Sequence, residues 1–295
     1  MKHLLSDRVP YSAIIDRPRL SAPNNARVLV WIIVNVEHWT IERAMPRTVL
    51  SPPMGQPLLP DLPNWAWHEY GMRVGFWRIL RALEQRSIRP TMAINGLVCK
   101  TYPRIAEAAH KLDWEFMGHG FLQGPMHKVP DQLEAIQATI DAIREFTGTA
   151  PVGWESPGLT ETETTIDDLA QAGIEYVADW VLDDQPVWIA ARPRPVLSVP
   201  YSVEINDIPM MLLQQNRSEE MLLRGVDQFD RLWREGAEHP RVMAISVHPY
   251  ITGAPHRIDY FEKLLDHIQG CSGVEILTGQ AISNWYRSQV PAPAV

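Results

Sequence analysis

Ionisable side chains follow three mostly apolar runs of this chain, at the point where each run ends. The runs and the groups after them are 28–34 with Glu37 and His38, 114–117 with His119, and 241–247 with His248. A strand buried on both faces is continuously apolar, and ligands bind beyond the carboxyl ends of parallel strands. Because imidazole and carboxylate groups transfer protons and bind metal ions, the pattern predicts an active site at one rim of a parallel sheet.

Alternating strands and helices are expected to hold these groups at one rim. Apolar runs predict strands at 28–34, 91–94, 114–117, 152–154, 174–177, 241–247 and 274–277. Helical spacing of apolar residues predicts helices at 70–86, 103–112, 131–147, 164–172, 219–235, 259–268 and 278–287, and 205–213 stays unassigned. Asp131 opens the third of these helices, and Gly148 is its expected left-handed stop. Repeated strand-then-helix units imply right-handed parallel crossovers, which favour a barrel or a strongly curled sheet.

The composition is that of a single globular domain, residues 1–295. Hydrophobic residues make up 45% of the chain and charged residues 21%, and no Gly/Ser tract or charge block divides it. The chain has 25 prolines and 11 tryptophans, and a long Pro/Trp-rich loop is expected at about 38–69. Cys99 and Cys271 lie far apart and lack a CxxC partner, so we expect two free, buried thiols.

Charge and hydropathy restrict the partners and the location that we expect. A net charge of -8 without a basic stripe disfavours nucleic-acid binding. No apolar stretch of about 20 residues occurs, which argues against a membrane span. The first residues include Lys2 and His3 and lack the apolar core of a secretion signal. These features predict a cytoplasmic protein that binds neither nucleic acid nor a membrane.

Five motifs occur in an order that resembles the NodB-type polysaccharide deacetylase superfamily. They are 35–38, 115–120, 153–158, 181–188 and 246–249. The helix 73–78, the segment 199–207 and the long first loop resemble the branch that holds metal-independent allantoinases, cyclic imide hydrolases and peptidoglycan-deacetylase-like proteins. The resemblance covers most of the chain. It implies an α/β fold, an irregular (β/α) barrel of about seven parallel strands, and hydrolysis of a non-peptide carbon–nitrogen bond.

The chain departs from the family pattern at the expected metal ligands. A family deacetylase offers two aspartates at the first strand end, one as base and one as ligand, followed by two histidines four residues apart. In one register Asn35 replaces the base and Glu37 the ligand; in the other, Glu37 is the base and His38 the ligand. Gln123 stands four residues after His119, and an amide is a poor zinc ligand. We therefore expect no required cofactor, or a weakly held divalent metal such as zinc bound by Glu37, His38, His119 and Gln123.

The resemblance also implies roles for the residues at the rim. Hydrolysis of an amide or imide needs an activated water, a stabiliser for the oxyanion and an acid for the leaving nitrogen. Without a metal, Glu37 is the expected base and His248 the expected acid, while Asn35 and Gln123 are expected to donate hydrogen bonds to the substrate carbonyl. The predicted catalytic residues are Glu37, His119, His248 and Asn35. The predicted substrate-binding residues are Gln123, Trp154, Glu155 and Trp39.

Other polar residues receive structural interpretations. Asp183 and Asp184 are expected to be solvated loop acids, with orientation of His248 by one of them as the alternative. His68 and His110 are interpreted as surface residues.

The sequence thus predicts a hydrolase that opens a small cyclic amide, imide or ureide by water attack on the carbonyl. Imides suit a site with few catalytic groups, because the second carbonyl activates the ring and improves the leaving nitrogen. The alternatives are a metal-dependent polysaccharide or peptidoglycan N-deacetylase and a catalytically lapsed, ligand-binding member of the family. The resemblance also implies a homo-oligomer, for which a tetramer is one option.

Overall fold

A curled, mostly parallel β-sheet runs through the centre of the molecule. The structure is a computed structural model that describes residues 5–293; residues 1–4, which include the Lys2 and His3 of the leader prediction, and residues 294–295 lie outside the described chain. The strands are β1 (Val28–Val36), β2 (Thr91–Ile94), β3 (Glu115–Gly118), β4 (Gly153–Trp154), β5 (Tyr176–Val177), β6 (Val187–Ile189), β7 (Val196–Ser198), β8 (Arg241–Val247) and β9 (Val274–Ile276). Their order is β6-β7-β5-β4-β3-β2-β1-β8, with β9 also paired to β1. The predicted α/β fold with a curled parallel sheet is confirmed.

β1 lies near the middle of the sheet, and all nine of its residues are buried. One edge of β1 pairs with β8, while the other edge pairs first with β9 and then with β2. The strand continues two residues beyond the predicted run 28–34, so that Asn35 pairs with Ala93 of β2. Glu37 is therefore the first residue past the carboxyl end of the strand.

Helices follow most of the strands along the chain. They are α1 (Leu62–Tyr70), α2 (Phe76–Gln85), α3 (Val98–Thr101), α4 (Pro103–Lys111), α5 (Gln132–Thr147), α6 (Thr165–Gln171), α7 (Glu220–Glu235), α8 (Pro255–Gln269) and α9 (Gly279–Arg287). α5 has the predicted ends, because the Asp131 side chain accepts a hydrogen bond from the Glu134 N–H and Gly148 has a φ of 82°. α8 begins four residues earlier than predicted, since Pro255 suits the first position of a helix.

The segment 62–85 is one helical run, where the sequence predicts a helix only over 70–86. The run starts early because the Asp61 side chain accepts a hydrogen bond from the Asn64 N–H at the first turn. A π-helical turn, Gly71–Gly75, joins α1 to α2.

Two glycines of this π-helical turn allow the helical run to pack closely on the loop after β8. A Cβ atom at Gly71 would overlap the backbone of Tyr250, and one at Gly75 would overlap the carbonyl of Pro249. This close packing brings the helical run beside the loop that begins at His248.

The sheet curls far enough for the segment after β7 to reach β8. Asn206 forms an isolated parallel bridge with Ser246. The unassigned region 205–213 contains this bridge and then a π-helical turn, Ile208–Leu213. Asp207 therefore lies between the bridge and the turn, next to the end of β8.

The loop 38–61 connects β1 to α1, and it is shorter than the predicted loop at about 38–69 because α1 starts within that range. Asn64 of α1 holds the loop in place. Its side-chain oxygen accepts hydrogen bonds from the backbone N–H groups of Val49 and Leu50, at 2.8 and 3.0 Å. Asn64 is 1% exposed, so these bonds fix the middle of the loop at a buried point.

Two further expectations concern membranes and cysteines. Within residues 5–293, no helix is both long and apolar enough to cross a membrane.

Cys99 and Cys271 are both free, as expected. Cys99 is buried, whereas Cys271 is only half-buried, so the expectation of burial is correct for Cys99 alone.

Candidate active site

Glu37 follows β1, and its side chain reaches a cavity of about 510 Å³. The side chain is 4% exposed. Its Oε2 accepts a hydrogen bond from Nε1 of Trp39 at 2.6 Å, and its Oε1 accepts one from Nε2 of Gln123 at 2.8 Å. Two neutral donors therefore hold the buried carboxylate in one orientation.

The cavity brings together residues from several strand ends. The predicted site residues that line it are Glu37, His119, Gln123, Glu155 and His248. Nε2 of His119 lies 3.8 Å from Oε1 of Glu37, and Nε2 of His248 lies 3.7 Å from the same oxygen. Both separations exceed a normal hydrogen bond. One carboxylate oxygen thus faces two imidazole nitrogens across a gap.

The backbone of the neighbouring strand end orients His119. Nδ1 of His119 lies 2.7 Å from the carbonyl oxygen of Glu155, which can only accept, so Nδ1 carries the proton. Nε2 has no hydrogen-bond partner among the described residues, although it is buried. This nitrogen is therefore available to a ligand in the cavity.

Asp207 orients His248. Nδ1–H of His248 donates to Oδ1 of Asp207 at 2.6 Å, and the backbone N–H of His248 donates to Oδ2 at 2.7 Å. The Thr252 hydroxyl also donates to Oδ2, at 2.7 Å. Asp207 is fully buried, so this carboxylate fixes the imidazole ring with Nε2 towards the cavity.

Asp183 and Asp184, which the sequence suggested as alternatives for orienting His248, lie elsewhere in the structure. Asp183 forms an ion pair with Arg17 at 2.5 Å, and Asp184 lies 3.8 Å from Arg241. The alternative in which Asp183 or Asp184 orients His248 is therefore wrong.

The charges of Glu37, His119 and His248 stabilise one another. Burial alone would raise the pKa of Glu37, but the positive charges of the nearby His119 and His248 lower it to about 2. Burial would lower the pKa of His119 and that of His248, yet Glu37 and Asp207 respectively raise them above the ordinary value. Glu37 is thus ionised at neutral pH and stabilises protonated imidazole.

Glu155 is a second carboxyl group in the cavity, with different surroundings. Burial raises its pKa to about 7, against the opposing charge of His119. The Tyr201 hydroxyl donates to its Oε1 at 3.2 Å, and its Oε2 has no partner among the described residues. Burial also raises the pKa of the nearby Asp179. Glu155 is therefore close to half-protonated at neutral pH.

The residues at this rim do not fit a divalent metal. Gln123 donates an amide N–H to Glu37, and its oxygen accepts a hydrogen bond from Nδ2 of Asn95 at 3.1 Å. The His38 ring interacts with the Thr101 hydroxyl at 3.2 Å and does not line the cavity. Over residues 5–293, no three His, Cys, Asp or Glu side chains are arranged to hold a metal ion. Of the four ligands expected from the sequence, Glu37, His119 and Gln123 line the cavity, whereas His38 does not.

Three of the predicted catalytic and substrate-binding residues do not line the cavity, contrary to expectation. Asn35 is fully buried and donates to the hydroxyl of Ser246 at 2.8 Å. Trp154 is fully buried beneath Gly118, and Trp39 uses its indole N–H to bind Glu37. These side chains support the site from behind. In the first strand-end motif it is Glu37, and not Asn35 or His38, that reaches the cavity.

Some residues of the site were missed by sequence reasoning. His68 is fully buried, its Nε2–H donates to the backbone oxygen of Glu37 at 3.0 Å, and its ring stacks on Trp39 at 4.4 Å. The surface interpretation of His68 is therefore wrong. Asp207 ends the segment 199–207, which contributed to the family resemblance. This segment is the signal from which an acid paired with His248 could have been found.

Comparison with known proteins agrees with the observed fold. A family model described as polysaccharide deacetylase matches residues 67–177. The crystal structure of a Pseudomonas aeruginosa PAO1 protein assigned as a polysaccharide deacetylase superposes with a TM-score of 0.83 and 25% identity, covering 94% of this chain and 96% of that one. The central part of the chain, residues 67–177, thus resembles the polysaccharide deacetylase family. Deacetylation is hydrolysis of a non-peptide carbon–nitrogen bond, and the chain is a hydrolase of that class.

Two further relatives match over most of the chain. A Schizosaccharomyces pombe protein assigned as a polysaccharide deacetylase is 26% identical over 301 residues, covering 92% of this chain and 94% of the relative. The crystal structure of PuuE allantoinase has a TM-score of 0.83 at 24% identity and covers 94% of this chain and 96% of that one. The likeness to PuuE allantoinase is a likeness of fold.

Proposed function

We propose that this protein hydrolyses a small cyclic amide, imide or ureide. The observation that carries the proposal is the convergence of two imidazole Nε2 atoms and the Gln123 amide on one oxygen of Glu37. This group of side chains contains a proton acceptor, a cationic donor and a fixed carboxylate, which together suffice for water attack on an activated carbonyl.

His248 is the proton carrier in the proposed reaction. A water between Glu37 and His248 attacks the carbonyl carbon and gives one proton to Nε2 of His248. The carbonyl oxygen becomes an oxyanion, which accepts a hydrogen bond from protonated Nε2 of His119. The carbon–nitrogen bond then breaks, and His248 returns the proton to the leaving nitrogen. An imide ring thereby opens to a carboxylic acid and a primary amide.

Glu37, which the sequence suggested as the base, has a different main task in this proposal. A carboxylate with a pKa of about 2 is a weak proton acceptor at neutral pH. His248, with a pKa raised above its ordinary value, is the stronger acceptor. Glu37 instead holds the water and stabilises the imidazolium that forms 3.7 Å away.

The size of the cavity favours a ring over a long glycan. Its volume of about 510 Å³ is within the range of pockets that enclose one small ligand. Pro46 and Arg47, from the loop 38–61, contribute to its lining, so the loop narrows the approach to Glu37. The second candidate function, N-deacetylation of a polysaccharide, is supported by the names of the P. aeruginosa and S. pombe relatives.

One panel of substrates tests the proposal. Purified protein is assayed with succinimide, phthalimide, allantoin, dihydrouracil and N-acetylglucosamine oligomers, before and after a chelator, together with elemental analysis. We expect turnover of at least one ring that survives the chelator. Deacetylation of the oligomers with stoichiometric metal would overturn the proposal in favour of the second candidate. No turnover of any ring would favour the lapsed binding protein. Homo-oligomer formation stays a prediction, which light scattering of the same preparation tests.

A further inference from the structure

We propose that Arg47 is a specificity-determining residue that selects rings carrying a carboxylate group. Among the described residues that line the cavity, Arg47 is the only lysine or arginine. The proposal deepens the proposed function, because it names the substrate class of the same site.

Among the residues that the structure describes, none is a hydrogen-bond or ion-pair partner of the Arg47 guanidinium. Arg47 is nevertheless half-buried. Two other arginines of low exposure form ion pairs: Arg8 binds Asp167 at 2.7 Å, and Arg86 binds Asp266 at 2.6 Å. In a chain with a net charge of -8, an unpaired guanidinium facing a cavity is suited to a ligand anion.

The segment that carries Arg47 is fixed on both sides. Asn64 binds the backbone N–H groups of Val49 and Leu50, two and three residues further along the loop. Pro46 precedes Arg47, also lines the cavity, and has a restricted φ. The same helix that contains Asn64 contacts the site directly, because Nε2–H of His68 donates to the Glu37 carbonyl. Arg47 is therefore positioned relative to the catalytic carboxylate by a continuous set of contacts.

The charge of Arg47 reaches the catalytic end of the cavity. Burial raises the pKa of Tyr250, and the positive charge of Arg47 acts to lower it. The ring of Tyr250 in turn lies 5.6 Å from that of His248. Because Glu37 is ionised and would repel an anionic ligand, a cation on the loop is what allows a carboxylate-bearing ring to enter. The guanidinium binds such a group in a bidentate manner.

Dihydrouracil and dihydroorotate form a matched pair of probes, since they share one ring and differ by one carboxylate. Binding of each ring is measured by titration calorimetry in a His248→Asn background, where turnover is blocked. Arg47→Met removes the charge but keeps most of the length of the side chain. Arg43→Met is the matched control, because Arg43 is an exposed arginine of the same loop and does not line the cavity.

We expect dihydroorotate to bind more tightly than dihydrouracil, and Arg47→Met to reduce this preference about 10- to 100-fold. Arg43→Met should keep the preference. An unchanged preference in Arg47→Met, equal binding of the two rings, or binding of neither would overturn the proposal. The outcome is separate from that of the proposed function: carboxylate-selective binding without turnover by the native enzyme contradicts only the latter, and turnover of neutral rings that ignores Arg47 contradicts only the former.

Discussion

Two buried glutamates at opposite ends of the sheet have opposite environments. Glu37 follows the carboxyl end of β1, faces a cavity and has two histidines within 3.8 Å, and its pKa is lowered to about 2. Glu115 starts β3 and is satisfied by neutral donors: the hydroxyls of Thr91 and Tyr176 at 2.5 and 2.7 Å, and the Gln280 N–H at 3.0 Å. Burial raises its pKa.

The comparison shows that burial of a carboxyl group does not by itself mark an active site. Glu115 is enclosed by donors that leave no space for a ligand, so its interactions serve folding. Glu37 is oriented by hydrogen bonds from Trp39 and Gln123. Its other neighbours, His119 and His248, are titratable and are separated from it by a gap. What distinguishes the functional carboxylate is this combination of fixed orientation, cationic neighbours and access.

The largest expected effect separates these two glutamates. Glu37→Gln removes the charge that holds the water and stabilises imidazolium, so we expect kcat to fall about 1,000-fold on any ring that the native enzyme opens. Steady-state kinetics measure the effect, and circular dichroism checks that the variant is folded. Turnover within about threefold of the native enzyme would remove Glu37 from the mechanism.

Glu115→Gln is the matched control for that substitution, since it makes the same chemical change at the other end of the sheet. We expect kcat to change by less than about threefold, while the free energy of unfolding falls by about 1–3 kcal/mol because buried donors lose an acceptor. Urea denaturation measures the loss. A large decrease in kcat without loss of stability would contradict the division between the two regions.

The next prediction tests how Asp207 sets the pKa and the tautomer of His248, in the region around Glu37. Asp207→Asn removes the charge that raises the pKa of His248 and the acceptor that fixes its tautomer. We expect kcat to fall about 100-fold or more. Because His248 must be neutral to accept a proton, the acidic limb of the kcat profile should shift to lower pH. A limb that does not move would show that another group sets it.

The smallest effect concerns Glu155, which lines the cavity like Glu37 but has a raised pKa like Glu115. Its pKa of about 7 in the folded protein exceeds its ordinary value of 4.5, so the folded state binds the proton more tightly. The stability that this proton contributes is fully present below pH 4.5 and is lost as the pH rises through 7, by about 3 kcal/mol. Urea denaturation at several pH values measures this, and Glu155→Gln should flatten the decrease. An equal slope in the variant would contradict the assignment.

Much of the fold was predictable, because it depends on local patterns. Continuous apolar residues identify β1 and β8, whose residues are buried on both faces, and Asp131 and Gly148 mark the ends of α5. The start of the helical run at 62 was not predicted, since the cap at Asp61 lies inside a Pro-rich stretch that resembles a loop. The short strand β6 was missed because three residues are too few to show a period.

The sequence by itself determined that Glu37, His119 and His248 follow strands whose carboxyl ends share one edge of a parallel sheet, and this proximity results from alternation of strands and helices. Only the tertiary structure decided which groups support them. Asn35 pairs with Ser246 behind the cavity because β1 extends through it, and Asp207 reaches His248 from an irregular segment without periodicity. Such contacts depend on the curl of the sheet and on packing between distant segments, which no local spacing in the sequence records.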